Sequence, residues 1–165
     1  MPDERSPKDS VTLPFQVFRF RVEFKESPIG QAAGNPVALC SGAFSECSGL
    51  EATMEPRVIQ EGGVNYGAAQ RAGPVTFATV ILKRGITSTQ HLWQWFALVN
   101  RESAYAHRLD VEITLLNPAN QPQLKWKLEK ALPVKFKAPD LNAMGDQIGV
   151  EELHLAHQGL SMLTV

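Results

Sequence analysis

The stretch SECSGLEATMEPRVIQEGGVNYGAAQRAGPVTFATVILKRG, residues 45–85, decides most of what this sequence says about the fold. Its first part is extended in character, because Pro56 opposes a helix and favours an edge strand or a bulge. Its last part, VTFATVILKRG, is β-branched and aromatic and ends at Gly85, so it predicts one central strand over 75–85. Between them lie fourteen residues, EGGVNYGAAQRAGP, with no core-forming pattern. A long glycine-rich excursion between two strands is therefore the feature to explain.

Upstream of this stretch, residues 18–24 read FRFRVEF, with apolar and charged side chains in alternation. A period of two gives an extended chain one apolar and one charged face, which predicts a strand. The following residues, 25–42, contain several prolines and glycines and predict a loop or a long hairpin tip.

One helix is predicted downstream, over TQHLWQWFALVN, residues 89–100. Thr87 or Ser88 can cap its N-terminus. An apolar stripe at helical spacing is formed by Leu92, Phe96 and Val99, with Trp93 beside them, and it is widened by Trp95 and Leu98. The helix is therefore expected to pack on more than one side.

The C-terminal half is typical of strands. LDVEITLL (109–116) and LKWKLEK (124–130) flank the turn-forming NPANQP and predict a hairpin, while 133–139 and 149–163 predict one further strand each. Six to eight strands and one helix indicate a mainly β protein, a β-barrel or sandwich with one flanking α-helix. Residues 1–14 predict a flexible N-terminal arm and 15–165 a single β domain.

The composition excludes several classes of protein. Sixteen basic residues against seventeen acidic ones leave a net charge of −1, so no global field attracts nucleic acid or anionic lipid. No apolar run approaches the roughly 20 residues of a membrane span, and the charged start is unlike a signal peptide, which predicts a cytoplasmic protein without membrane binding of its own. Cys40 and Cys47 are expected to be reduced thiols, and a disulfide between them stays open.

No motif in the sequence predicts an enzyme, a cofactor site or a metal site. The histidines are scattered, and HLAH (154–157) puts its two rings on one face only if it is helical. The sequence EGGVNYG has neither the lysine and serine of a phosphate-binding loop nor a GxGxxG spacing. Glu51, Glu55 and Glu61 are best interpreted as solvated or interface charges on an extended arm.

Lysines are concentrated in residues 124–137, where they alternate with apolar residues in LKWKLEK, so one face of this strand is expected to be basic. The acidic residues Asp140, Asp146, Glu151 and Glu152 follow. Two interpretations remain open. Either these are complementary surfaces for a neighbouring subunit or a charged channel wall, or they form an ordinary solvated sheet face.

The order and spacing of these pieces resemble the tail tube proteins of contractile phages and of related contractile injection systems. The resemblance runs through FRFRVEF, FSECSGLE, an extended acidic segment into EGG, a loop before VTFATVILKRG, and the helix STQHLWQWF. It covers residues 15–100 well, and the remainder only in general style.

The resemblance implies a structural subunit of which six copies form a ring. Rings would stack into a hollow tube inside a contractile sheath, and DNA or protein cargo would pass through the lumen. The implied partners are further copies of the chain, sheath subunits and baseplate subunits, in a particle assembled in the cytoplasm. The extended segment 26–42 and the N-terminal arm would suit a tube-initiating subunit at the baseplate, so this alternative stays beside the repeating tube subunit.

The same resemblance explains the excursion as an arm that reaches neighbouring subunits. The glycines would permit its turn, Val64 and Tyr66 would be apolar anchors, and two arginines would make polar contacts. The predicted inter-subunit contact residues are Glu55, Arg57, Gly62, Gly63, Val64, Asn65, Tyr66 and Arg71.

Two other classes remain as alternatives. A monomeric β-barrel that binds a small hydrophobic ligand would also show the alternation FRFRVEF, and it predicts an apolar internal cavity. An enzyme could assemble distant groups such as His107 with Asp110 or Glu112, and it predicts a cleft with perturbed titrating groups.

Overall fold

The computed structural model describes residues 13–26, 36–37, 44–63, 65–101 and 108–165. The elements follow one another along the chain as β1 (Phe20–Glu26), β2 (Pro36–Val37), β3 (Glu46–Ser48), β4 (Ala52–Met54), β5 (Arg57–Ile59), β6 (Ala69–Arg71), β7 (Val75–Phe77), β8 (Val80–Gly85), α1 (His91–Arg101), β9 (Leu109–Leu116), β10 (Pro122–Lys137), β11 (Val150–Ala156) and β12 (Gly159–Leu163). The protein is mainly β with one described helix, as the sequence predicts.

One antiparallel sheet contains most of these strands, in the order β2-β1-β9-β10-β11-β8-β3. Strand β12 joins it by pairing with β10. The sheet folds over at β10 into two layers. The first layer comprises β2, β1, β9, β12 and the first half of β10, and the second comprises the second half of β10 with β11, β8 and β3. Among the described residues, the end strands β2 and β3 are not paired with each other, so the described sheet forms an open sandwich rather than a closed barrel.

Strand β10 is one continuous strand of sixteen residues, whereas the sequence predicts two strands over 124–130 and 133–139. Its first half pairs with β9 and β12, and its second half pairs with β11. A bulge separates the halves, with Lys130 at a φ of 49°. Positive φ is rare for a residue with a side chain. Here it is supported by the Asp110 carboxylate, which accepts a 3.0 Å hydrogen bond from the Lys130 amide.

The hydrophobic core lies between the two layers and under the helix. Both layers supply fully buried side chains, Val111 and Leu128 from the first and Leu82 and Leu155 from the second. Phe24 joins them to the helix through an edge-to-face contact with Trp95 at 5.6 Å. Alternating burial along β8 and β11 matches the period-two pattern of their sequences.

The helix begins at His91, two residues later than predicted, and the Thr89 amide donates to the Thr87 hydroxyl before it. Its buried residues are Leu92, Trp95 and Val99. Phe96, which the sequence places in the main stripe, is only half-buried. Trp95 occupies the central position because it lies at the same helical spacing and reaches Phe24.

Two predicted single strands are each divided in the structure. The stretch 75–85 consists of β7 and β8, which pair with different partners, and 149–163 consists of β11 and β12 with a turn between them. In both cases the chain changes its pairing partner in the middle of a residue pattern that is continuous in sequence. The predicted hairpin of β9 and β10 is confirmed, closed by Asn117–Gln121.

The glycine-rich excursion is also more ordered than its sequence suggests. The strand pairs β4–β7 and β5–β6 form a two-stranded antiparallel hairpin, to which the excursion contributes β6. We call residues 51–78 the arm.

Candidate subunit interface

The arm is a ladder that leaves the second layer next to β8. Between its two strand pairs the ladder continues through a hydrogen bond from the Glu55 amide to the Pro74 carbonyl, 3.2 Å. At its base, the Ala78 amide donates to the Glu51 carbonyl at 3.1 Å. The arm therefore has a continuous backbone ladder of its own.

Two glycines fix the path of the arm. Gly49, at its base, has a φ of 87°, and a Cβ there would overlap with the Thr79 carbonyl oxygen. Gly73, between the strand pairs, has no room for a Cβ because the Glu55 carbonyl oxygen occupies that position. The predicted turn glycines lie farther out, where Gly63 has a φ of 89° and Gly62 is open to solvent.

The structure places the other predicted contact residues on the exposed surface of the arm. Arg57 and Arg71 are directly opposite each other across β5 and β6. Glu55 lies at the joint between the strand pairs, and Asn65 and Tyr66 lie near the tip. Tyr66 is 97% exposed. The last predicted contact residue, Val64, lies outside the described residues.

The arm also presents apolar residues that the sequence analysis missed. Met54 and Val75 are cross-strand partners, so they share one face, and both are about half exposed. Val58 is exposed farther out. The signal was present in the sequence, since Ala52, Met54, Val75 and Phe77 follow a period of two, but their pairing is visible only in the hairpin. Exposed apolar residues on a projecting hairpin are a feature of interaction surfaces.

A second candidate surface is the outward face of the first layer. Glu112 on β9 forms ion pairs with Lys25 on β1, at 2.8 Å, and with Lys125 on β10, at 3.2 Å. Asp110 pairs with Lys127 at 3.0 Å. The predicted basic face of β10 is thus neutralised by carboxylates of the neighbouring strand.

The ion pairs on this face also shift the pKa values of their members. Burial acts to raise the pKa of Glu112, but hydrogen bonds from Lys25 and Lys125 outweigh it and hold the pKa below its ordinary value. The hydrogen bond to Asp110 raises the pKa of Lys127. The face therefore carries charges of both signs, fixed in pairs.

A third surface lies at the connection from β10 to β11. Residues 137–152 form a cleft of about 420 Å³ whose lining includes Asp140, Asp146 and Glu152. Three apolar residues in the connection are more than 80% exposed: Leu141, Met144 and Ile148. The sequence analysis noted the acidic residues here but not the apolar ones.

The segment before β1 is a fourth exposed surface. Leu13 and Val17 are more than 70% exposed, and Phe15 and Phe18 about half. The Arg19 carbonyl accepts a hydrogen bond from the Leu116 amide at the end of β9. The residues before Arg19 therefore extend beyond the end of β9. Residues 13–19 are not part of a strand and bend at Phe18, so they present these apolar side chains outside the sheet.

Two of the scattered histidines, His154 and His157, have structural partners. His154 contacts Glu152 at 3.3 Å, and the Nδ1 atom of His157 lies 2.9 Å from the Gly159 carbonyl. His107, one half of the hypothetical catalytic pair, lies outside the described residues. Among the residues that are described, no group of three or more potential ligands could hold a metal ion.

Among the described residues, Cys47 has no disulfide partner. Burial raises the pKa of the Cys47 thiol to about 11, so as a thiol it stays protonated at neutral pH. Its candidate disulfide partner, Cys40, lies outside the described residues. Across the described ranges, no helix has the length and apolar character needed to span a membrane.

The family model of the T4-like virus tail tube protein gp19 matches residues 16–161, nearly the whole chain. The chain belongs to this tail tube family. The identification agrees with an open β sandwich that has one helix and an arm. Among curated protein sequences, none matches the chain.

Solved structures agree with the family. A chain in the sixfold-symmetrised anti-feeding prophage baseplate is 32% identical, with a TM-score of 0.76, over 92% of this tail tube protein and 97% of that chain. A chain of the sheath–tube complex of the PVC extracellular contractile injection system is 21% identical, with a TM-score of 0.75, over 97% and 100% of the two chains. One in the tube-terminating cap of the anti-feeding prophage is 18% identical, with a TM-score of 0.75, over 96% and 97%.

Proposed function

We propose that this tail tube protein is the repeating subunit of the inner tube of a contractile injection system, acting without catalysis. The observation that carries the proposal is the arm, an ordered hairpin whose large side chains, Met54, Val58, Tyr66 and Val75, are exposed. An isolated two-stranded hairpin is marginal in water, so a partner surface is the natural role for one this long. The predicted contact residues Glu55, Arg57, Gly62, Gly63, Val64, Asn65, Tyr66 and Arg71 form part of this contact.

Six copies form each ring, and open strand edges provide its lateral contacts. Among the described residues, strand β12 pairs with β10 alone, and the segment before β1 carries exposed apolar residues at the opposite end of the first layer. Pairing such edges around a closed ring would cover both the open edge of β12 and the apolar segment before β1. The sixfold symmetry of the anti-feeding prophage baseplate supports the number of copies.

The outward face of the first layer lines the lumen in this proposal. Four basic side chains, Arg21, Lys25, Lys125 and Lys127, alternate on it with four acidic ones, Glu23, Asp110, Glu112 and Glu129. Each charge has opposite charges nearby, so the wall holds neither DNA nor a protein effector tightly and lets either cargo slide. A ligand-binding barrel would require an apolar interior cavity, whereas the space between the layers is occupied by the core cluster.

The subunit is assembled in the cytoplasm and becomes part of a particle in which it contacts sheath and baseplate subunits. A tube-initiating role is the second candidate. It is favoured by the 32% identity to a chain in a baseplate structure, compared with 21% to a chain in a sheath–tube complex. The two roles differ in whether rings continue to stack on one another.

Negative-stain electron microscopy over a concentration series, with light-scattering mass alongside, tests the proposal. We expect sixfold rings that stack into hollow tubes as the concentration rises. Single rings that never stack would instead identify the initiator. A strict monomer at every concentration, also in the presence of preformed baseplates, contradicts both.

The arm is tested by Tyr66→Ala. Because Tyr66 is 97% exposed, its removal should leave the free energy of unfolding of the monomer within about 0.5 kcal/mol of wild type. Tube formation should weaken, because a buried interface tyrosine contributes on the order of 2 kcal/mol. Normal tubes from this variant would show that Tyr66 is not an anchor.

A further inference from the structure

The arm carries two like charges that face each other. Arg57 and Arg71 are directly opposed across β5 and β6, and both side chains are exposed. Like charges at directly opposed positions destabilise a strand pair. Within the described part of the chain, neither guanidinium is in an ion pair with a carboxylate. Two neighbouring arginines form a strong binding site for carboxylates, because each guanidinium can donate two hydrogen bonds to one carboxylate.

The cleft between β10 and β11 has the opposite charge. Asp140, Asp146 and Glu152 line it, with Lys137 as the one basic side chain among its lining residues. Glu152 already contacts His154. Asp140 and Asp146 are exposed, and among the described residues neither is in an ion pair with a basic side chain.

The cleft is ordered by its own backbone. Asn142 holds a turn in which its side-chain oxygen accepts from the Met144 amide at 3.0 Å and its carbonyl from the Gly145 amide at 3.2 Å. At the other end, the Gly149 carbonyl accepts from Ile86 at 2.9 Å, and a Cβ on Gly149 would lie 3.0 Å from the Cβ of Pro139. The two aspartates are therefore presented on a preformed loop, which lowers the entropic cost of binding.

Apolar side chains lie near the charged groups on both surfaces. Leu141 and Met144 are almost fully exposed beside the cleft. On the arm, Ile59 lies two residues from Arg57 on the same face of β5 and is partly exposed. Apolar contacts around an ion pair exclude water from it, and so strengthen the pair.

We infer that the arm of one copy docks on the cleft of a second copy, with Arg57 and Arg71 against Asp140 and Asp146. The inference rests on the proposed function and names the acceptor of the arm. Because the arm and the cleft are different surfaces, the contact is heterologous: the copy that supplies the arm keeps its cleft unoccupied, and the copy that supplies the cleft keeps its arm unbound. Such a contact propagates from subunit to subunit, as stacked rings require.

A charge-reversal cycle in the full-length chain tests this contact. Arg71→Glu and Asp146→Arg each place like charges at the interface, and the double variant restores an opposite pair. The readout is the protein concentration at which light scattering and electron microscopy first detect tubes. Lys135→Glu, an exposed charge reversal on the second half of β10, is the matched control, and circular dichroism confirms that each monomer is folded.

We expect each single reversal to raise the tube-forming concentration about tenfold or more, and the double variant to return close to wild type. The control should leave the concentration within about twofold. A double variant as defective as its parents overturns the inference, and wild-type tubes in the same experiment would leave the proposed function standing. A wild-type protein that stays monomeric, also in the presence of preformed baseplates, overturns both.

Discussion

Asp110 shows how one side chain can decide the path of a long strand. It is buried on β9, accepts the Lys130 amide at the bulge of β10 and pairs with Lys127. Without it, Lys130 would hold a positive φ with no compensating hydrogen bond. The carboxylate therefore stabilises the point at which β10 passes from one layer to the other.

Substitution of Asp110 should lower the free energy of unfolding, and by more when the hydrogen-bond acceptor is lost than when it is kept. Asp110→Ala loses both contacts and should lower the free energy of unfolding by about 2–3 kcal/mol, while Asp110→Asn, which keeps an acceptor, should cost about 1 kcal/mol. Urea unfolding measures both. The control is Glu129→Gln, at the exposed residue next to Lys130. Equal losses in the free energy of unfolding for all three variants would exclude this role for Asp110.

Arg84 and Glu151 form an ion pair that is buried between β8 and β11. Arg84 also donates to the Thr89 carbonyl at 3.2 Å, which ties the start of the helix to the second layer. Removing one partner leaves an uncompensated buried charge, so Arg84→Met should cost about 3–5 kcal/mol. Adding Glu151→Leu should recover most of this loss in denaturant unfolding, since an apolar pair of similar volume is often as stable as a buried ion pair. A double variant that is no more stable than Arg84→Met would contradict that account.

At the scale of the element, the arm depends on its backbone more than on its side chains. Gly73→Ala places a Cβ against the Glu55 carbonyl and must separate β4–β7 from β5–β6, whereas Gly62→Ala meets nothing within 4 Å. We expect Gly73→Ala to abolish tubes in electron microscopy while the thermal midpoint of the monomer changes little, because the arm is exposed. Gln60→Ala, at an exposed arm position outside the predicted contact residues, should form tubes like wild type. Loss of tubes in both variants would indicate a general sensitivity of the arm rather than a requirement at Gly73.

At the scale of the whole molecule, stability should depend on pH through the first layer. The pKa of Glu112 is lowered from 4.5 in the folded state, so its contribution is present above the unfolded value and is lost as the pH falls through the folded one. The free energy of unfolding should therefore decrease below about pH 4.5. Glu112→Gln should be less stable than wild type at pH 7, with a smaller difference at pH 3. A difference that does not change with pH would exclude this linkage.

The sequence by itself determined the local elements and the family pattern. Alternation in FRFRVEF, the helical stripe around Leu92 and the turn at NPANQP each depend on neighbours within a few residues, so they are visible without coordinates. The same holds for the exposed character of the arm, because glycine and polar residues there leave no core-forming pattern.

Only the tertiary structure decided which strands are paired and which charges are neutralised. The pattern of 75–85 is continuous, yet β7 belongs to the arm and β8 to the sheet, because the two find partners far apart in sequence. The lysines of β10 look like a basic face until β9 places Asp110 and Glu112 beside them. Pairing between distant segments is set by packing of the whole chain, and no local residue pattern encodes it.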